Sequence, residues 1–112
     1  MYKYREERPW GCFEQFTKNE ISSVKILTIN PFQKLSFQYH EKREEFWKFL
    51  DNKARVYLDD KIIEVNLDSE IFIPRYARHR IEAYGLPVRL LEIAFGEFDE
   101  ADIVRLDDIY KR

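Results

Sequence analysis

The sequence predicts an all-β domain, built as a jelly roll or a small barrel. Apolar patterns with the period of a long helix are missing from the 112 residues. The apolar residues instead form short segments, several of which alternate with polar residues as half-buried strands do. Turn-forming residues separate these segments at the spacing of consecutive short strands, which is typical of a sandwich or barrel.

The first two predicted strands cover residues 24–29 and 34–40. Residues 24–29 are rich in β-branched side chains and end at Asn30-Pro31, where proline cannot continue a sheet ladder. Residues 34–40 alternate in polarity, so successive side chains point to opposite faces of the strand. One face carries Ser36, Gln38 and His40, and the other carries Phe37 and Tyr39.

Six further strands are predicted, most of them followed by a turn signal. Residues 54–58 and 61–65 flank Asp59-Asp60 and therefore predict a hairpin. The six strands cover residues 46–50, 54–58, 61–65, 67–73, 79–83 and 88–95. The turn signals are Asp51-Asn52, Asp59-Asp60, Pro74, Tyr84-Gly85 and Gly96.

The two ends of the chain depart from this strand pattern. Residues 99–102 read D-E-A-D, and acidic residues suit the positive N-terminal end of a helix. A short C-terminal helix is therefore expected over residues 99–110. Residues 1–7 are expected to form an N-terminal arm that adds a strand to a neighbouring copy, giving a homodimer. Residues 1–112 are expected to form a single domain.

Charge balance and cysteine count indicate the setting of the protein. Charged residues make up 36% of the chain but the net charge is only -2, so there is no basic excess for nucleic-acid binding. The single cysteine, Cys12, permits no intrachain disulfide, which fits a reducing compartment. No apolar run reaches the ~18 residues of a membrane helix, and the start lacks a signal peptide's apolar stretch. A cytoplasmic protein with neither membrane nor nucleic-acid partners is expected.

The two histidines of the chain are the first candidates for a functional site. His40 and His79 lie on different predicted strands, and Glu45 lies near a third. Two imidazoles and a carboxylate form a ligand set that can hold a divalent transition metal. Spacing alone leaves two interpretations open, a metal site inside a barrel or histidines that are merely packed or exposed.

Six segments of the chain, taken in order, resemble one known family. They are RPWG at 8–11, LSFQYH at 35–40, R-x-E-x-W at 43–47, IP at 73–74, HRIE at 79–82, and GE followed by DIVRLDDIY-x-R within 96–112. Their order and spacing resemble the type II phosphomannose isomerase domain of the cupin superfamily, over about residues 8–112.

This resemblance implies a double-stranded β-helix, the cupin (jelly-roll) barrel. It also implies interconversion of mannose 6-phosphate and fructose 6-phosphate in nucleotide-sugar or polysaccharide synthesis. The cofactor that it implies is a divalent metal (Zn, Co, Mn, Ni or Fe) on His40, Glu45 and His79.

Four residues depart from the family's pattern. Asn52 replaces a turn glycine, which is a mild change because asparagine also adopts the left-handed conformation. Lys42 stands where a second metal histidine is expected, and Phe46 stands where another histidine often occurs. Tyr76 replaces a glycine that precedes the histidine of the later motif. The charge of Lys42 opposes a nearby cation, so three outcomes stay open: the metal is retained, the site is degraded, or Lys42 takes the place of the metal.

Aldose–ketose isomerisation needs a base and an electrophile, and the sequence offers candidates for both roles. Glu97, which follows the matching Gly96, is the expected base, ahead of Glu82 and Glu92. Without a metal, Lys42 or Arg43 is the expected electrophile. Guanidinium groups match phosphate geometry, and Gln38 shares a face with His40. The substrate-binding candidates are Arg8, Arg80, Arg105 and Gln38.

Three functions stay open at this point. The first is a sugar-phosphate isomerase, the second is a non-catalytic cupin that binds a sugar or nucleotide sugar, and the third is another sugar-modifying cupin such as an epimerase. The family's domain often follows a guanylyltransferase domain. Three glycines could hardly build a glycine-rich nucleotide loop, so that activity is expected on a separate nucleotidyltransferase partner.

Overall fold

A computed structural model describes residues 3–110, which form eleven β-strands and no helix. The strands are β1 (Tyr4–Arg8), β2 (Gly11–Gln15), β3 (Ser22–Ile29), β4 (Phe37–Tyr39), β5 (Glu44–Phe49), β6 (Ala54–Leu58), β7 (Lys61–Val65), β8 (Glu70–Ile73), β9 (His79–Ala83), β10 (Val88–Phe95) and β11 (Val104–Asp107). Residues 3–110 therefore include no helix of the length and apolar character that a membrane crossing requires.

Nine of these strands form two antiparallel sheets packed around one core. One sheet has the order β3-β10-β5-β8 and the other has the order β11-β4-β9-β6-β7. Side chains from both sheets fill the space between them, because alternate residues of each strand point inward. Among the most buried are Trp47, Phe49, Val56, Ile81 and Leu90. The chain crosses repeatedly between the sheets, which gives the predicted all-β double-stranded β-helix.

The predicted strand positions agree closely with the structure in the second half of the chain. Four predicted strands have the observed bounds at both ends, namely Ala54–Leu58, Lys61–Val65, His79–Ala83 and Val88–Phe95. The other four differ by one to three residues at their ends. Alternation and turn residues were therefore sufficient signals for these four strands.

The predicted helix over residues 99–110 is wrong. Residues 96–103 contain bends and a turn, and Val104–Asp107 forms β11. The backbone N–H of Asp102 donates to the carbonyl oxygen of Asp99 at 3.0 Å, and the carboxylate of Asp99 accepts from the N–H of Ala101 at 2.9 Å. The acidic residues thus close a turn instead of starting a helix. The chain then pairs with β4, which satisfies its backbone groups in a sheet.

The N-terminal residues form a hairpin, β1–β2, that the sequence analysis did not predict. Phe16 follows β2 and stacks on Phe46, on the outer face of β5, with ring centroids 5.2 Å apart. An ion pair between Lys3 and Glu70 links the start of the hairpin to β8. Residues 1 and 2 of the predicted arm lie outside the described residues. The arm's role in a homodimer therefore stays a prediction.

Candidate metal centre

Three buried side chains with metal-binding atoms converge between the sheets. His40 directly follows β4, Glu45 lies in β5, and His79 is the first residue of β9. Their exposed fractions are 2%, 1% and 0%, respectively. One ligand atom from each residue lies within 4.8 Å of the others. The structure therefore brings together the three residues that the sequence analysis selected as ligands.

Strand pairing explains why these residues meet. β4 and β9 are neighbours, with Gln38 opposite His79. His40 lies two residues beyond Gln38, and alternation places both on the inward face of that sheet. Glu45 comes from β5 in the facing sheet. The cluster thus links the two sheets of the molecule.

Backbone carbonyl groups determine which nitrogen of each imidazole carries its proton. Nδ1 of His40 lies 2.6 Å from the carbonyl oxygen of Asp102, and Nδ1 of His79 lies 2.8 Å from that of Ala77. A carbonyl oxygen only accepts hydrogen bonds, so Nδ1 is the donor in both rings. Burial lowers the pKa of His79, which favours its neutral form. With Nδ1 as the donor, the neutral form of each ring presents a lone pair at Nε2, as metal-binding histidines do.

The remaining polar atoms of the cluster fit a divalent cation. Oε1 of Glu45 and Nε2 of His79 are buried and have no hydrogen-bond partner among the described residues. These two atoms are 3.7 Å apart, and Nε2 of His40 is 3.8 Å from Oε2 of Glu45. Buried polar atoms are nearly always paired, so unpaired ones that face each other fit a shared cation. Two nitrogens and a carboxylate suit Zn, Co, Mn, Ni or Fe.

Arg43 is the cation that lies against this cluster. Its Nε donates to Oε2 of Glu45 at 3.0 Å, and one terminal nitrogen is 3.4 Å from Nε2 of His40. The guanidinium also stacks on Phe98, 4.5 Å from the ring centroid. The side chain of Lys42 is exposed and lines a separate surface depression. The electropositive residue beside the candidate ligands is therefore Arg43, whereas Lys42 points to solvent.

A cavity of about 360 Å³ opens beside the cluster. Its lining includes apolar side chains and both signs of charge. The polar lining residues are Lys25, Gln38, Arg43, Glu45, Glu92, Glu100 and Arg105. This combination suits a small, polar, anionic ligand. The cationic side chains at the rim can balance the negative charge of the ligand, and the carboxylates deeper in the cavity can contact its polar groups.

Glu92 is a second buried carboxylate in this cavity, and it is 6% exposed. Its Oε2 accepts a hydrogen bond from Nε1 of Trp47 at 3.3 Å. Its Oε1 lies 4.0 Å from Nζ of Lys25, the nearest cation. Burial, together with the negative charge of Glu45, raises the pKa of Glu92 to about 7. A carboxyl group with this pKa can both accept and return a proton near neutral pH.

The other residues selected from the sequence lie in different places. Gln38, Arg43 and Arg105 line the cavity, whereas Arg8, Arg80 and Glu97 do not. The guanidinium of Arg8 pairs with Glu6 in the N-terminal hairpin at 2.7 Å.

Arg80 is held at the far side of its sheet. It donates to the carbonyl oxygen of Leu35 at 2.7 Å and to the carboxylate of Asp107 at 3.0 Å. Glu97 is exposed after the end of β10.

The sequence analysis ranked Glu92 behind Glu97 and did not select Lys25, although Glu92 and Lys25 both lie on the inward faces of predicted strands. Glu92 interrupts the inward-facing series of β10, in which Val88, Leu90 and Ala94 are buried. Lys25 precedes Leu27 on the inward face of β3 and also lines the cavity. A single charged residue on the apolar face of a predicted strand therefore indicates a functional cavity next to the hydrophobic core.

A double-stranded β-helix with a buried His/Glu/His cluster is the architecture of a cupin domain. A cupin 2 domain-containing protein from Halorhodospira halophila superposes with a TM-score of 0.70 and 22% identity, over 81% of this chain and 62% of that one. Oxalate decarboxylase from Bacillus subtilis gives a TM-score of 0.71 at 22% identity, over 78% of this chain and 24% of that one. These similarities establish the fold.

The sequence comparison identifies the family. The pattern described as "Mannose-6-phosphate isomerase C-terminal" matches residues 2–108, and the chain belongs to this family. Mannose-1-phosphate guanylyltransferase 2 of Escherichia coli O157:H7 is 36% identical over 106 residues, which are 93% of this chain and 22% of that protein. Alginate biosynthesis protein AlgA of Pseudomonas aeruginosa is 34% identical over 107 residues, 94% of this chain and 22% of that protein. The chain thus spans about a fifth of these curated relatives.

Proposed function

We propose that this chain is an isomerase domain that interconverts mannose 6-phosphate and fructose 6-phosphate for nucleotide-sugar or polysaccharide synthesis. The family membership supports the sugar-phosphate class of substrate. The observation that carries the proposal is that Glu45 of the His/Glu/His cluster lines the same cavity as a separate buried carboxylate, Glu92, while Oε1 of Glu45 and Nε2 of His79 have no hydrogen-bond partner among the described residues. Isomerisation needs both of these parts, an electrophilic centre and a proton carrier.

The candidate metal centre supplies the electrophilic part of this proposal. His40, Glu45 and His79 would hold the divalent ion through the atoms that face one another. Such an ion stabilises negative charge that develops on the sugar oxygens. Arg43 adds a fixed positive charge at the same end of the cavity. Lys42 has no part in this arrangement, because its side chain is exposed.

Glu92 carries the proton in the proposed reaction. As a carboxylate it removes the proton from C2 of the aldose and returns it to C1 of the resulting enediolate, while a second proton passes from O2 to O1. The products are a C2 carbonyl and a C1 hydroxymethyl group, so the atoms balance. We assign this role to Glu92 rather than Glu97 because Glu92 lines the cavity and Glu97 is exposed.

Lys25 and Arg105 are the proposed contacts for the substrate phosphate. Both line the cavity, and their side chains are 40% and 35% exposed, so their charged ends reach the rim. Gln38 lies deeper and can contact a sugar hydroxyl group. Arg8 and Arg80 stay predictions, since their guanidinium groups bond to acids outside the cavity.

A coupled assay tests the isomerase directly. Fructose 6-phosphate formation from mannose 6-phosphate is followed with Zn²⁺, Co²⁺, Mn²⁺ or Ni²⁺ added to the chelator-treated protein. Turnover with at least one metal is the expected result. No turnover with any of them would remove the isomerase proposal.

Arg43 favours one alternative, a non-catalytic cupin that binds a sugar or nucleotide sugar. Its guanidinium already neutralises Glu45 and approaches His40, so its charge opposes a metal ion at the same point. This alternative predicts binding of mannose 6-phosphate, measured by calorimetry, in protein that contains no metal and shows no turnover.

Two proposals concern partners. The curated relatives are about five times longer than the matched segment, which supports a nucleotidyltransferase, on the same or a separate chain, as the functional partner. A homodimer is the second proposal. Exposed apolar side chains on β3, Val24 and Ile26, are consistent with it. Light scattering of the purified chain distinguishes a dimer from a monomer.

A further inference from the structure

The turn that carries His40 is held by a residue far along the chain. Asp102 is only 9% exposed, and three of its oxygen atoms bond to this turn. Its carbonyl oxygen accepts from Nδ1 of His40 at 2.6 Å. Its two carboxylate oxygens accept from the backbone N–H groups of Glu41 and Lys42, at 2.9 and 3.0 Å. One residue therefore holds three consecutive residues of the turn between β4 and β5.

The second histidine of the centre is supported in a different way. Nδ1 of His79 bonds to the carbonyl oxygen of Ala77, two residues earlier in the chain. That contact forms wherever the local backbone folds correctly. The contact of His40 instead joins residues 62 positions apart, so it exists only when the C-terminal segment is docked.

The segment around Asp102 is anchored at several points in the cavity wall. The N–H of Asp102 and one terminal nitrogen of Arg43 both donate to the carbonyl oxygen of Asp99, at 3.0 and 3.1 Å. Ile103 and Arg105 line the cavity, and β11 pairs with β4. Both carboxylate oxygens of Asp102 are engaged as acceptors of backbone N–H groups.

We infer that Asp102 is a positioning residue for His40, and that through it the segment 97–107 sets the metal affinity of the centre. The carboxylate fixes the backbone of the turn, and the carbonyl oxygen then fixes both the orientation and the tautomer of the imidazole. Groups that orient a ligand in this way strongly affect metal affinity. The inference rests on the ligand role of His40 and is independent of the reaction catalysed.

The variant Asp102→Asn tests this inference in the full chain. It preserves the size of the side chain, but an amide NH₂ cannot accept the second backbone N–H, so the turn loosens. We expect the Co²⁺ affinity, measured by calorimetry on chelator-treated protein, to fall by about 10–100-fold. Asp107→Asn is the matched control, because it makes the same charge change in the same segment but alters only the pair with Arg80. Its Co²⁺ affinity should equal that of the wild type.

The tautomer of His40 separates positioning from a general structural role. Nitrogen NMR of the metal-free protein should show the Nδ1–H form of His40 in the wild type and in Asp107→Asn, and a mixture of tautomers in Asp102→Asn. Wild-type Co²⁺ affinity in Asp102→Asn would overturn the inference. So would reduced affinity with an unchanged His40 tautomer.

A milder variant covers the case in which Asp102→Asn does not fold. Asp102→Glu preserves both acceptors and the charge but displaces the carboxylate by one methylene group. Reduced Co²⁺ affinity together with mixed His40 tautomers supports the inference, and wild-type values for both contradict it. Neither result depends on isomerase activity, so the inference and the proposed function fail or succeed separately.

Discussion

Glu45 and Glu92 are carboxylates of the same cavity with different surroundings. Glu45 accepts a hydrogen bond from a buried guanidinium, that of Arg43, at 3.0 Å. Glu92 accepts one from a neutral indole N–H, and its nearest cation is 4.0 Å away. Burial therefore dominates at Glu92 and raises its pKa to about 7. The surroundings thus distinguish the two carboxylates: one oxygen of Glu45 is already paired with a cation, whereas Glu92 is suited to moving a proton near neutral pH.

The substitution Glu92→Gln tests the proton-transfer role. Glutamine has nearly the same shape but cannot accept a proton, so we expect kcat to fall by about 10²–10⁴-fold. Stability should not fall, because the amide removes a carboxylate whose ionised form is disfavoured by burial. The measurements are initial rates of fructose 6-phosphate formation and the melting temperature at pH 8.

Glu97→Gln is the competing variant for the same role. It alters an exposed carboxylate outside the cavity, and we expect wild-type kcat. A large loss of kcat in Glu97→Gln together with full activity in Glu92→Gln would reverse the assignment. Losses in both variants would mean that two carboxylates share the proton transfers.

Tyr76 departs from the family pattern, and its contacts explain why the fold accommodates it. It stands where the pattern has glycine, and its φ of +67° is in the left-handed region that glycine adopts most readily. Its N–H donates to the carbonyl oxygen of His40 at 2.7 Å, and its ring lies 6.3 Å from that of Tyr39. These contacts offset the backbone strain. They also tie the β8–β9 loop to the turn that carries His40.

At the scale of elements, the N-terminal hairpin is attached to the outer face of one sheet by apolar and charged contacts. Lys48 on β5 lies 3.1 Å from Glu70 on β8 and 3.8 Å from Glu14 on β2. Glu70 also pairs with Lys3, which precedes β1. Burial acts to raise the pKa of Glu70, but its bonds to Lys3 and Lys48 outweigh this and lower it. Glu70 therefore joins the hairpin to the core sheet while it is ionised.

The pH dependence of stability tests this attachment. Because the pKa of Glu70 is lowered in the folded state, its contribution is present above its ordinary value of 4.5 and is lost as pH falls below it. We expect Glu70→Gln to lower the free energy of unfolding by about 1 kcal/mol at pH 7, the upper range for partly exposed pairs. The difference from the wild type, measured by urea denaturation, should disappear at pH 3.

An exposed acid in the same region serves as the control for this experiment. Glu20→Gln, in the β2–β3 connection, makes the same chemical change at an exposed position. It should leave unfolding unchanged at both pH values. A difference for Glu70→Gln that persists at pH 3 would show that the lost contribution is packing and not charge.

For the molecule as a whole, local patterns predicted much more of the fold than of the site. Alternation and turn residues located strands such as Ala54–Leu58 because those signals lie within the strand itself. The C-terminal strand β11 was missed, because its acidic start suits a helix and only pairing with β4 makes it a strand. His40, Glu45 and His79 were recognisable by residue type and family resemblance. The support from Asp102 was not, since it depends on a contact across 62 positions.

The position of the candidate metal centre leads to a prediction for the stability of the whole domain. Its residues come from β5 in one sheet and from the β4 turn and β9 in the other, so a bound ion would cross-link the sheets. At a free metal concentration 100-fold above Kd, binding adds about 2.7 kcal/mol to the free energy of unfolding. For a domain of this size the melting temperature should rise by roughly 10 °C, as measured by calorimetry.

Chelation should reverse the rise, and Glu45→Gln, which retains the side-chain volume, should abolish it. An equal rise in Glu45→Gln would place the ion elsewhere, and no rise in the wild type would count against a metal at this position.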